Sequence, residues 1–187
     1  TTRQVREQLA AFGWTSAVVN MDDAIVADEV IADVMMLYAW ESSSPAAAQL
    51  TTLFMPGRVV DEPPVPEPLR KEIYECEITI IPREELQQDR RHFENSVSGE
   101  ALTLAHEAVV AYTIDGTAGY GPLNDVLQLD LSHAIARLTD GLHVTVGTGA
   151  CLFARDIAIP ATPPARRLPA PPSKAGCLGA LVGMVKW

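Results

Sequence analysis

Asn20-Met21-Asp22-Asp23-Ala24-Ile25-Val26-Ala27-Asp28-Glu29-Val30-Ile31-Ala32-Asp33-Val34-Met35-Met36-Leu37-Tyr38-Ala39-Trp40 is the stretch with the clearest hydrophobic period in the chain. Val26, Val30, Val34 and Leu37 fall on one stripe at helical spacing, with Ile31, Met35 and Tyr38 beside it and Glu29 and Asp33 opposite. Asn20 suits an N-cap, and Asp22 and Asp23 suit a first turn, where the helix dipole favours anions. The pattern predicts a helix from Asn20 to about Trp40, central to the core.

Working outward, Thr2–Phe12 reads as a shorter helix, with Val5, Leu9 and Phe12 on one face and Gly13 as the stop. After the Ser42-Ser43-Ser44 break, Pro45 suits the first turn of a helix through Met55. Prolines at 56, 63, 64, 66 and 68 then predict an extended connector, either a boundary between two halves or a surface excursion within one body. Glu72–Ile81 reads as a strand, because Tyr74, Cys76, Ile78 and Ile80 alternate with Glu75, Glu77 and Thr79. Helices are expected over Arg83–Asn95, Ser98–Tyr112 and Leu123–Thr139, the last closed by Asp140-Gly141. Leu142–Val146 and Ala150–Ile159 read as two strands joined across Gly147-Thr148-Gly149, a hairpin.

From Pro160 onward the composition changes. Prolines at 163, 164, 169, 171 and 172 keep this segment extended, and it ends in the apolar run Cys177–Trp187. No internal repeat occurs. The expected fold is α+β: a helix-rich single globular body over residues 1–159, with a few antiparallel strands, and an extended Pro-rich C-terminal arm over 160–187.

Charge separates the same two parts. The chain of 187 residues carries a formal net charge of -10. Arg166, Arg167, Lys174 and Lys186 lie after Pro160 with no acidic residue among them, leaving 10 basic against 24 acidic residues before it. Nucleic acid is therefore an unsuitable partner for the body, and a possible one for the arm. Apolar residues at 48% and charged residues at 20% describe an ordinary folded chain. No apolar run approaches the roughly 20 residues that cross a bilayer, and charged, amphipathic Thr1–Gly13 does not resemble a secretory signal. The expected location is the cytoplasm or a virus-like particle.

Motifs that carry chemistry are sparse. Cys76, Cys151 and Cys177 are widely separated and form no CxxC pair. Gly116–Gly121 is glycine-rich but lacks the Lys-Ser/Thr ending of a phosphate loop, and it follows a segment read as helix. Two Asp-x-x-His spacings, Asp89/His92 and Asp130/His133, place paired metal ligands on one helix side, and Glu29 or Asp33 with Glu107 would complete a four-helix di-metal set. Against that reading, Asp is short, Gln87–Arg91 is very polar, and Glu29 and Asp33 lie off the apolar stripe. Cys151 with His143 or His106, and the neighbours Ser132 and His133, lack a local nucleophile motif. No catalytic set, metal site or cofactor is assigned, and Asp89, His92, Asp130 and His133 are kept as test positions.

The arm is the remaining candidate. A Pro-rich segment makes few contacts with itself, so an ordered arm must be held by its own body, a neighbouring copy or another protein. Arg166, Arg167 and Lys174 offer charge, while Leu178, Leu181, Val182, Met184, Val185 and Trp187 suit a groove or the edge of a sheet. The expected function is a non-enzymatic structural or assembly protein whose arm docks on neighbouring subunits. Its most concrete form is a shell, cementing or assembly-factor component of a viral or phage particle. The alternatives are an adaptor that binds another protein through its Pro-rich segments, and a small metal-dependent enzyme.

Overall fold

A computed structural model describes residues 1–31, 33–88, 97–116, 122–145, 150–161 and 180–182. In chain order the elements are α1 (Thr2–Ala11), β1 (Trp14–Val19), β2 (Ile25–Val26), β3 (Val34–Glu41), α2 (Ala47–Leu53), α3 (Glu67–Arg70) and β4 (Tyr74–Pro82). There follow α4 (Arg83–Gln88), α5 (Glu100–Glu107), β5 (Val110–Gly116), α6 (Pro122–Leu138), β6 (Leu142–Thr145), β7 (Cys151–Phe153), a 3-10 turn over Ala154–Asp156, and β8 (Ala180–Val182). The fold is α+β. All eight strands form one sheet in the order β2-β1-β3-β4-β5-β8-β6-β7, and every pairing is antiparallel.

The predicted central helix over Asn20–Trp40 does not form. That stretch is a turn, a two-residue strand and most of β3, and the physical reason lies in its polar residues. The Asn20 side chain accepts hydrogen bonds from the amides of Asp22 and Ala24, both at 3.1 Å, which closes a turn instead of capping a helix. Asp23 and Asp33 both have φ of 57°, a left-handed conformation that ends any helix and that aspartate tolerates better than most side chains. Val30, on the supposed core stripe, is 73% exposed. The burial of Met35, Leu37 and Ala39 follows a period of two, and the β-branched residues before them also favour extended backbone. β3 then pairs along its length with β1, from Trp40↔Thr15 to Met36↔Val19.

The alternation in Glu72–Ile81 holds. Cys76 and Ile78 enter the main core, with Tyr74 and Ile80 packed against it. The helix expected over Ser98–Tyr112 stops at Glu107, and Val110 begins β5. Its apolar spacing fitted either period, and pairing with β4 from Pro82↔Val110 to Cys76↔Gly116 decides for strand. Arg83–Asn95 is helical to Gln88, and the rest of that prediction lies outside the described residues. α1, α2, α6 and the β6–β7 pair form where expected, while the second strand of that pair ends at Phe153.

Helices pack on both faces of the sheet. On the first face, α1 and α6 pack Val5, Leu9, Leu127, Leu131 and Ile135 against Val18, Leu37, Ile78 and Ile114. Trp14, with no exposed surface, donates its indole N–H to Asp130 on α6 at 2.9 Å and meets the Tyr74 ring edge-on at 5.5 Å. On the second face, α2 and the proline-rich connector cover β1 and β3 through Trp40, Leu50, Phe54, Val65 and Ile73. At the other end of that face, Ala101 of α5 packs with Leu142 and Val144, and Leu86 of α4 with Ala111. The connector also closes the β2 edge: Ile25 donates to Arg58 O, and Gly57 donates to Ile25 O, both at 2.8 Å. It is thus a surface excursion between two strands, β3 and β4, that pair directly.

Candidate functional site: the slot between β5 and β6

β5 and β6 are parallel to each other, because each is antiparallel to the strand between them. They are joined through α6, which crosses the first face of the sheet. Two strand spacings separate them, about 9.6 Å, too far for direct backbone pairing. The strand that fills this slot is β8. Ala180, Leu181 and Val182 are in register with Ile114, Thr113 and Tyr112 on one side, and with Thr145, Val144 and His143 on the other. A three-residue segment therefore joins an otherwise divided sheet, β2-β1-β3-β4-β5 on one side and β6-β7 on the other.

Of the predicted arm residues, Leu181 and Val182 lie in β8. Arg166, Arg167, Lys174, Leu178, Met184, Val185 and Trp187 lie outside the described residues. The sequence signal for the strand is the triplet Ala180-Leu181-Val182 between Gly179 and Gly183. Nothing local in the chain marks β5 and β6 as its hosts.

Behind the slot lies a buried polar string. His143, on β6 and 4% exposed, turns toward α6, where its Nδ1 is 2.8 Å from Ser132 Oγ. Ser132 Oγ also lies 2.8 Å from Leu129 O, an acceptor only, so the hydroxyl proton goes there. The ring must then donate from Nδ1 to Ser132 Oγ and accept at Nε2 from Thr145 Oγ1, at 3.0 Å. The serine is thus not activated by the imidazole, and the string works as structural hydrogen bonding.

Burial, and secondarily His133 packed edge-on at 5.0 Å, holds the His143 pKa down to about 4. Burial also lowers that of His133, against the opposing pull of Asp130. A histidine kept neutral in the fold but protonated when unfolded stabilises the protein fully above pH 6.5, and loses that contribution as pH falls toward 4. The expected loss from His143 is on the order of 3 kcal/mol. Urea unfolding at pH 7 and at pH 4.5 measures it, and His143→Gln should show the shallower pH dependence of the two proteins. Equal dependence would contradict a buried neutral His143.

The other sequence candidates are not assembled into a site. Asp130 and His133 share α6, while Asp89 and His92 lie outside the described residues. Glu29 and Asp33 precede β3 instead of lying on a core helix, so the four-helix arrangement does not apply. Among the described residues no group of three or more His, Cys, Asp or Glu side chains could hold a metal ion. Burial pushes the Cys76 thiol up to about 12, with Glu75 and Asp115 adding to the effect. Burial also raises Cys151, so both thiols stay protonated at neutral pH.

The glycine-rich segment needs a correction. It follows strand β5, not a helix, and leads into α6, with residues 117–121 outside the described residues. At its start, a Cβ on Gly116 would stand 1.8 Å from Gln128 Nε2 and 2.5 Å from Asn124 Nδ2, so glycine lets these two buried amides of α6 close over the end of β5. Among the described residues no helix is long and apolar enough to cross a membrane. No protein-family model, no curated protein and no solved structure matches the chain.

Proposed function

We propose that this protein is a non-enzymatic assembly protein whose C-terminal strand is exchanged between copies, β8 of one subunit filling the β5–β6 slot of its neighbour. A shell, cementing or assembly-factor subunit of a virus-like or phage particle is the form this reading takes. The observation that carries it is the placement of β8: a short strand with two paired edges, approached through a segment of different composition from the body. The slot makes the same backbone pairs with a strand from either source, which is the condition for low-cost exchange.

In the described chain β8 pairs with its own β5 and β6, and the approach is long enough to reach a neighbour's slot as well. Residues 162–179 include five prolines, a composition that favours extended backbone. Extended at roughly 3 Å per residue, they span on the order of 55 Å, more than the width of a small domain. The acidic body and basic arm add complementary charge between subunits.

The test is solution mass by light scattering on the full chain and on a chain ending at Ala161. The full chain is expected to be a homogeneous oligomer and the shortened one a monomer. A monomeric full chain, or an oligomer that survives the truncation, overturns the proposal.

A further inference from the structure

The second face of the sheet carries an uncovered strip between its two helical layers. Glu75, Glu77 and Thr79 of β4 lie there beside Asp115 and Thr113 of β5, and all five are exposed or half-buried. Glu77 and Asp115 are register partners, two like charges directly opposed on adjacent strands, an arrangement that disfavours the sheet unless a cation joins it. Burial, then Glu77, raises the Asp115 carboxyl above its ordinary range. At the head of the strip, a cleft of about 90 Å³ opens between β3 and the connector, lined by Tyr38, Phe54, Val65 and Ile73 and by the polar groups Asp61, Arg70 and Glu75. Arg70 is paired with Asp61 at 3.5 Å, so Glu75 is the carboxylate there that continues the strip. The Tyr38 and Phe54 rings are 5.3 Å apart and tilted 33°; Phe54 is buried and backs the half-buried Tyr38 ring, which offers the aromatic surface of the kind that proline rings pack against.

The register shows which segment approaches this strip. Cys76 is level with Gly116, and Ala180 with Ile114, so Glu75 sits two strands across and three residues along from Ala180. That separation is about 14 Å. β8 is parallel to β4, and its first residue, Ala180, is its nearest to the end of the sheet that carries the cleft. The six residues from Lys174 to Gly179 reach about 18 Å when extended, enough to bring Lys174 to Glu75. Ahead of Lys174 stand Pro163, Pro164, Arg166, Arg167, Pro169, Pro171 and Pro172, with no acidic residue among them.

We infer that the strip and its aromatic cleft are a docking groove for the basic, proline-rich segment Pro163–Lys174, and that this segment lies on the subunit whose slot its β8 fills. Proline packs on the Tyr38 ring while Lys174 and the arginine pair meet Glu75, Glu77 and Asp115. The inference rests on the placement of β8 and not on exchange between copies. With β8 in its own sheet the groove clasps the chain's own arm, and with β8 exchanged it clasps the neighbour's.

Limited trypsin digestion of the intact protein, followed by mass spectrometry, tests this at the Arg167–Leu168 and Lys174–Ala175 bonds. Cleavage is expected to be at least about tenfold slower than in a synthetic peptide spanning Ala161–Gly179, because a docked segment must open before it is cut. Glu75→Lys with Asp115→Lys should restore rapid cleavage, and Glu75→Gln with Asp115→Asn should do so in part, which keeps the test available if the lysine protein does not fold. Glu7→Lys, on exposed α1 surface, should leave protection intact. Cleavage as fast as in the peptide, or protection unchanged in the folded groove variants, overturns the inference. Solution mass measured on the same samples separates it from the exchange proposal: a protected monomer ends exchange and keeps the groove, and an unprotected oligomer does the reverse.

Discussion

If β8 is exchanged as proposed, Leu181→Pro is expected to reduce an oligomer to monomers, and in either case to lower stability by more than any surface substitution. The reason is backbone accounting. Leu181 is the middle residue of a strand paired on both sides, with Thr113 and with Val144. Proline removes its N–H and is excluded from central strands. The carbonyl that loses its donor costs about 1–3 kcal/mol if it stays buried, before any displacement by the ring is counted. Leu181→Ala keeps the N–H and serves as control, so its effect on mass should be much smaller. Light scattering and urea unfolding measure both variants. A proline variant with unchanged mass and unchanged stability would mean that β8 contributes no pairing, and the proposed function would lose its support.

Leu131→Ala is expected to cost about 2–5 kcal/mol, the range for deleting a large aliphatic side chain from a packed interior. Leu131 has no exposed surface and lies with Leu127 and Ile135 against Leu37, Ile78 and Ile114 at the centre of the first face. Two residues away on the same helix, Leu129 is 43% exposed, and Leu129→Ala should stay within about 0.5 kcal/mol. Urea unfolding separates the two, provided the slope of free energy against denaturant is unchanged. Equal effects would contradict the helical register that turns Leu131 inward.

The contrast between Glu72–Ile81 and Asn20–Trp40 explains what could be read from residues alone. From Tyr74 to Ile80 the polar residues of β4 alternate with the apolar ones, so only one period fits and the strand is legible. In the earlier stretch, apolar residues are dense enough to satisfy a helical stripe as well as a strand. The deciding information sits in Asn20, whose side chain closes a turn, and in Asp23 and Asp33, whose left-handed backbone ends any helix. Asparagine and aspartate at those positions suit helix caps equally well, and tertiary pairing with β1 and β4 settles the competition. The same ambiguity hid β5: Val109 just before it and Tyr112 within it also extend the apolar spacing of α5.

The candidate site was legible in one half only. The apolar, glycine-flanked end of the chain is visible as a segment suited to joining a sheet edge. The slot that receives it depends on β5 and β6 being held two spacings apart by the α6 crossover, a long-range property that no local pattern records. The polar string behind it is equally silent in sequence, because Ser132, His143 and Thr145 converge only when α6 lies over β6.

Cysteine cross-linking across the β5–β8 register tests exchange most directly. Thr113 and Leu181 are register partners, so cysteines placed there face each other across adjacent strands. One population carries Thr113→Cys and another Leu181→Cys, each with Cys177→Ser, and the two are mixed, unfolded, refolded and oxidised together. Strand exchange predicts covalent heterodimers on a non-reducing gel, absent from either population alone. If the mixture yields none, while a single chain carrying both cysteines closes an internal disulfide, then β8 belongs to its own sheet and the assembly claim is contradicted.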